Sequence, residues 1–122
     1  MSEMERLSVQ KMGDVTIVEF MERLIWEMIQ VEQIGEELTA LAQAKDCRRM
    51  ILDFTRVEMI SSSTLGVLIS LKRRLDDVQG RLVIAGLREE LMRIFKITRL
   101  EREFEFCADR AAALAALGKG EK

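Results

Sequence analysis

Apolar positions along this chain switch between two periods, and the switches mark the elements. ERLSVQK and VTIVEF read as two strands meeting at Gly13-Asp14, a dipeptide suited to a tight hairpin. The next stretch, MERLIWEMIQ, keeps no regular period. From Gln30 to about Lys45, Val31, Ile34, Leu38 and Leu41 recur at helical spacing, with Glu32, Gln33, Glu36 and Glu37 on the other faces. RRMILDF is apolar on both faces through Met50–Leu52, as a central parallel strand would be. After the short bend TRVEMI, the run SSSTLGVLISLKRRLDDVQ sets Leu65, Leu68, Leu71, Leu75 and Val78 on one helical stripe. Gly80 follows, where a helix C-terminus favours glycine. RLVIAG is another strand, and REELMRIFKI a helix with Leu91, Ile94 and Phe95 on one face. FEF is a last short strand, and ADRAAALAAL a last helix with Asp109 near its start.

Strand–helix alternation with short connections predicts an α/β fold. The expected sheet is mixed and mostly parallel, with four to five strands, about four helices and right-handed crossovers. No linker, repeat or low-complexity tract interrupts residues 1–122, so a single domain is expected.

Composition narrows what such a domain can do. At 48% apolar and 33% charged, with both signs interspersed, the chain has a globular profile. A net charge of −2 gives no basic footprint for nucleic acid or an anionic membrane. No apolar run is long enough to span a bilayer, and MSEMERLS lacks the order of a signal peptide, so the cytosol is the expected compartment. Cys47 and Cys107, without metal-type spacing, are expected to be free and reduced. The chain has no His and no Tyr, which excludes a Ser–His–acid triad, a Cys–His pair and a His-based zinc site. No catalytic group, cofactor or metal is expected.

Chemistry is best placed beyond the carboxyl ends of the parallel strands. There Ser61, Ser62, Ser63 and Thr64 open a helix. One Ser at the N-cap would accept a backbone N–H bond worth about 0.5–2 kcal/mol. Four hydroxyls exceed that need, and Gly66 in the first turns points to close packing on the sheet or to a visitor approaching the backbone. A phosphate on one of these hydroxyls would be tolerated at a helix N-terminus, while a partner lying there would meet a new charge of about −1.5 to −2. Trp26, the single Trp, reads as a packed side chain or, beside Met21 and Met28, as part of a protein interface. Asp53, ending its strand, could hold the following bend by accepting backbone N–H bonds.

The stretch MILDFTRVEMISSSTLGVLISL resembles the core of STAS domains, the family of bacterial anti-sigma factor antagonists. In that family a strand ending in Asp and an apolar residue leads through a bend into an Asp-Ser-Ser-Gly-Leu-Gly type motif. Here Ser61 stands in place of the Asp and Thr64 in place of a Gly. The resemblance runs from about Arg6 to Leu117, through VTIVEF, GRLVIAG, IFKITRLEREFEF and the alanine-rich helix. It implies a protein that binds an anti-sigma factor with Ser/Thr kinase activity, or a related signalling protein, and is turned off by phosphorylation. Ser62 matches the phosphorylated Ser, with Ser63 and Ser61 the next candidates. Glu58, Ser61, Ser62, Ser63, Thr64, Gly66 and Trp26 form the expected interface, and a homodimer is compatible with it. Two other readings use the same fold: an unphosphorylated scaffold subunit of a signalling or lipid-transport complex, and a small-molecule or nucleotide sensor at the strand-end crevice.

Overall fold

The structure, a computed structural model, describes residues 6–44 and 47–119. Strands β1 (Leu7–Met12) and β2 (Val15–Phe20) form the expected antiparallel hairpin, with Gly13 turning at φ +66°. The segment without a period contains a two-residue strand, β3 (Leu24–Ile25), and the start of helix α1 (Met28–Ala42). The expected helix end at Lys45 lies outside the described residues; α1 itself stops three residues earlier. Then come β4 (Arg49–Asp53), a second short strand β5 (Met59–Ile60), α2 (Ser62–Asp77), β6 (Arg81–Ala85) and α3 (Glu89–Ile97). A single 3-10 turn at Glu101–Glu103, β7 (Glu105–Cys107) and α4 (Arg110–Lys119) complete the order.

Five strands make one mixed sheet in the order β1-β2-β4-β6-β7, parallel throughout except for the β1–β2 hairpin. Successive right-handed crossovers moving one way along a sheet put their helices on one face. The packing shows this division. Val18, Phe20, Met50, Leu52, Leu82 and Ile84 face the layer that holds α1, α2 and α3. The alternate residues Val15, Ile17, Ile51, Val83 and Ala85 face Ala113 and Leu117 of α4. Strands covered on both faces must be apolar at every position, which is why RRMILDF and RLVIAG show no alternation. No helix among the described residues is long and apolar enough to cross a membrane.

Two expectations at the end of α2 are corrected. Val78 does not continue the buried stripe: the helix stops at Asp77, and Val78, in the cap, is 46% exposed. Nor is Gly80 the left-handed residue. Gln79 takes that conformation (φ +60°), and the Gly80 amide donates to the Leu75 carbonyl at 2.7 Å. Gly80 is required for another reason, because a Cβ there would overlap the Arg48 carbonyl oxygen. Gly80→Ala should therefore cost about 1–3 kcal/mol through overpacking. Gln79→Gly should instead add about 0.5–1 kcal/mol, by relieving the left-handed penalty of an L-residue less the entropy of glycine. Urea midpoints of the two variants moving in the same direction would contradict this account.

Candidate functional site

The end of β4 is built around a carboxylate. Asp53 is 5% exposed, on the α4 face of the sheet. Its Oδ1 accepts the Thr55 amide at 2.9 Å and the Thr55 hydroxyl at 2.5 Å, which fixes the bend, as the sequence suggested. Its Oδ2 accepts from Arg110 of α4, at 3.1 Å from Nε and 2.9 Å from Nη2. Burial pushes the Asp53 carboxyl up, but the Thr55 hydrogen bonds and the Arg110 charge outweigh it and hold the group below its ordinary value. Arg110 Nη2 also donates to Glu19 of β2 at 3.2 Å, so one guanidinium joins α4 to two strands.

Beyond the bend, β5 pairs with β3 in parallel, Leu24 opposite Met59 and Ile25 opposite Ile60. The two Ile are buried while Leu24 and Met59 face outward. Main-chain bonds continue this small sheet on both sides, Glu58 N–H to Arg23 C=O at 2.7 Å and Ser61 N–H to Ile25 C=O at 3.0 Å. The Gln30 side chain ties the same loop down. Its Oε1 accepts the amides of Trp26 (2.8 Å) and Glu27 (3.1 Å), and its Nε2 donates to the Leu24 carbonyl at 2.6 Å.

This scaffold sorts the four hydroxyls. Thr64 is 1% exposed and its hydroxyl donates inward to the Ile25 carbonyl at 3.3 Å. Thr64 is therefore corrected from a partner contact to a structural residue that pins α2 to β3. Ser61 occupies the N-cap with extended backbone, yet its hydroxyl bonds the Thr64 hydroxyl (3.2 Å) and no helix amide. The expected capping bond is absent. Ser62 and Ser63 are exposed on the first turn, where no acidic residue offsets the positive end of the helix dipole. Gly66 is also exposed, and a Cβ there would meet nothing within 4 Å, so packing on the sheet does not explain it.

Trp26 settles on the outward side of its two readings at 57% exposed. Leu24, Met28, Ile29 and Met59 are exposed beside it in the chain or across the β3–β5 pair, and together they make an apolar shelf at the start of α2. Glu58, at the rim, accepts Arg23 at 2.9 Å with Arg88 at 3.9 Å. The Arg23 hydrogen bond holds its carboxyl below the usual value. The sequence reading missed Gln30 and Arg110. Glu27-x-x-Gln30 has the spacing of a capping box and could have signalled the first; nothing local marks the second. Cys47 is buried and Cys107 half-buried, and neither is in a disulfide. Among the described residues no group of three or more Cys, Asp and Glu is placed to hold a metal ion.

A mostly parallel mixed sheet with three helices on one face and one on the other, and a helix opening on exposed serines beyond the end of its central strand, defines a class that comparison identifies. The STAS domain family profile matches residues 6–113, and the chain belongs to that family. BtrV of Bordetella bronchiseptica, provisionally named an anti-sigma factor antagonist, is 36% identical over 85 residues, 70% of this chain and 72% of that one. The STAS domain protein of Planctomyces limnophilus superposes with a TM-score of 0.83 at 22% identity, over 93% of this chain and 98% of that one. The Bacillus cell fate determinant SpoIIAA in its phosphorylated form superposes with a TM-score of 0.70 at 16% identity, over 90% of this chain and 98% of that one. The last two likenesses are of fold. This chain is an anti-sigma factor antagonist-like STAS domain.

Proposed function

We propose that this protein docks an anti-sigma factor with Ser/Thr kinase activity, or a related signalling protein, over the start of α2, and that phosphorylation of Ser62 releases it. One observation carries the reading: Ser62 and Ser63 stand exposed beside the apolar shelf of Leu24, Trp26, Met28, Ile29 and Met59, and the fold uses neither hydroxyl. The shelf supplies area to bury and aromatic and Met anchors, the residue types that dominate interfaces. Ser61 and Gly66 complete the surface and Glu58 rims it.

The chemistry asked of this chain is small. The kinase transfers the γ-phosphoryl of ATP to the Ser62 hydroxyl oxygen, the bond to ADP breaks, and the hydroxyl proton leaves to the kinase's base. Ser62 is only the acceptor, and this chain provides no catalytic group. The likeness to SpoIIAA, a protein whose structure in a phosphorylated form is known, agrees with a fold that tolerates the group. The test is intact mass after expression beside the native kinase. We expect the addition of one phosphoryl group, lost in Ser62→Ala and kept in Ser63→Ala and Ser61→Ala. Stable co-purification with no change in mass would replace the switch with a constitutive scaffold. Saturable nucleotide binding by the domain alone would replace it with a sensor.

A further inference from the structure

Helices α1 and α2 pack side by side, Gly35 against Val67, and an open groove of about 1080 Å³ runs along them, lined by α1 from Met28 to Gln43 and by α2 from Ser63 to Ser70. We propose that this groove seats a basic, amphipathic helix presented by a partner protein. The proposal rests on the chain being a partner-binding protein, and it does not depend on the phosphorylation of Ser62, which lies outside the groove lining.

Size and shape favour a helix. The groove lies open along its length, unlike the concave clefts that bury most of a small molecule's surface. It follows α1 from Met28 to Gln43, about 22 Å at 1.5 Å per residue, and α2 from Ser63 to Ser70, about 10 Å, so a four-turn helix laid along α1 would be walled on both sides for about two turns. Small residues let a third backbone come close. Gly35 already approaches Val67, where a Cβ would sit 3.4 Å from the Val67 side chain. Gly66, Ser63 and Ser70 keep the α2 wall low. This makes Gly66 intelligible: it is open to solvent, not needed by the core, and situated where a visiting helix would pass. Exposed Met28, at 74%, stands at the mouth as an adaptable apolar anchor.

Charge chooses the occupant. From Met28 to Ala42 the helix carries Glu32, Glu36 and Glu37 and no Lys or Arg. These three are exposed and, among the described residues, make no ion pair, as several other surface glutamates do not. Glu32 and Glu36 line the groove, and no basic side chain is among its lining residues. An apolar stripe flanked by Lys or Arg therefore fits, in the helix-in-groove mode of peptide recognition. A phosphate backbone or an anionic bilayer is repelled.

The test uses the full chain and a synthetic four-turn helix with a Leu/Ala stripe and Lys flanks. Its controls are a twin with Glu flanks and a twin broken by Pro. Binding is read from Trp26 fluorescence and from amide NMR shifts. The Lys peptide should saturate in the micromolar range and move the signals of α1 and the first half of α2. Both twins should bind at least about tenfold more weakly, and so should the Lys peptide to a Glu32→Lys, Glu36→Lys chain, with the effect fading at high salt. Gly66→Trp should fill the groove and remove binding while the rest of the spectrum stays native. The peptide titration and the mass change at Ser62 are separate readouts, so this reading and the phosphorylation switch fail separately. Equal affinity for the two charge twins, shifts mapping elsewhere, or no saturation would overturn the proposal. So would a dimer in sedimentation that Gly66→Trp dissociates, which gives the groove to a second copy of this chain.

Discussion

Phosphorylated on Ser62, the protein is expected to bind its kinase partner about a hundredfold more weakly, a loss of roughly 3 kcal/mol, while its melting temperature holds or rises. The two halves of that result have different sources. The new charge, about −1.5 to −2, lies in the path of a partner packing on Trp26 and Met28 and has to be desolvated for the interface to close. Within the folded chain the same charge sits at the uncompensated positive end of α2, an interaction worth about 0.3–1 kcal/mol in favour of the fold. Ser62→Asp, with one charge and no phosphate oxygens, should reproduce roughly a tenfold loss. Titration calorimetry against the kinase, beside thermal melts of the isolated chain, separates the effects. Affinity unchanged by the phosphate would end the switch, and a melting point that falls together with affinity would make Ser62 a structural residue.

The largest stability effect should come from the opposite face of the sheet. Arg110→Ala leaves the buried Asp53 carboxylate without its cation and should cost about 2–4 kcal/mol at neutral pH. The dependence on pH fixes the cause. Asp53 has its folded pKa below the unfolded value, so its contribution is complete above the ordinary carboxylate range and is lost as pH falls through the folded value. Without Arg110, burial dominates and the carboxyl is more easily protonated. The gap between wild type and variant should therefore narrow below about pH 4. Asp14, held low by Arg49, and Glu58, held low by Arg23, titrate in both proteins and cancel from the difference. Adding Asp53→Asn to Arg110→Ala should recover part of the loss at neutral pH. Urea unfolding at neutral and acid pH checks this, and a gap that does not vary with pH would assign the cost to lost packing.

These two sites differ in how far the sequence announces them. Elements whose identity depends on one apolar period were legible: the hairpin at Gly13-Asp14, the stripe Leu65–Leu75, and the strand Met50–Leu52 covered on both faces. The hydroxyl run was legible as a candidate site because it exceeds what capping needs. What its members do was not. Thr64 turns inward only because Ile25 of β3 offers a carbonyl there, and β3 and β5 are too short for any period to reveal. Ser61 bonds Thr64 instead of an amide for the same reason. Arg110 and Asp53 lie 57 positions apart and meet only once α4 has docked. Gln79 takes the left-handed turn that sequence rules assign to Gly80, because the Arg48 backbone presses on the next position and requires its glycine there.

The pairing of β3 with β5 is made of main-chain atoms, and Gln30 holds Leu24, Trp26 and Glu27 of the adjoining loop by their main-chain carbonyl and amide groups. Leu24, Trp26 and Met59 are thus mounted on a frame that does not depend on what they are. Mutation can exchange them at little cost to folding, so, on the docking proposed above, duplicated copies of such a gene could drift toward separate partners and insulate parallel circuits in one cell. Thr64 and Gln30 beneath them have no such liberty.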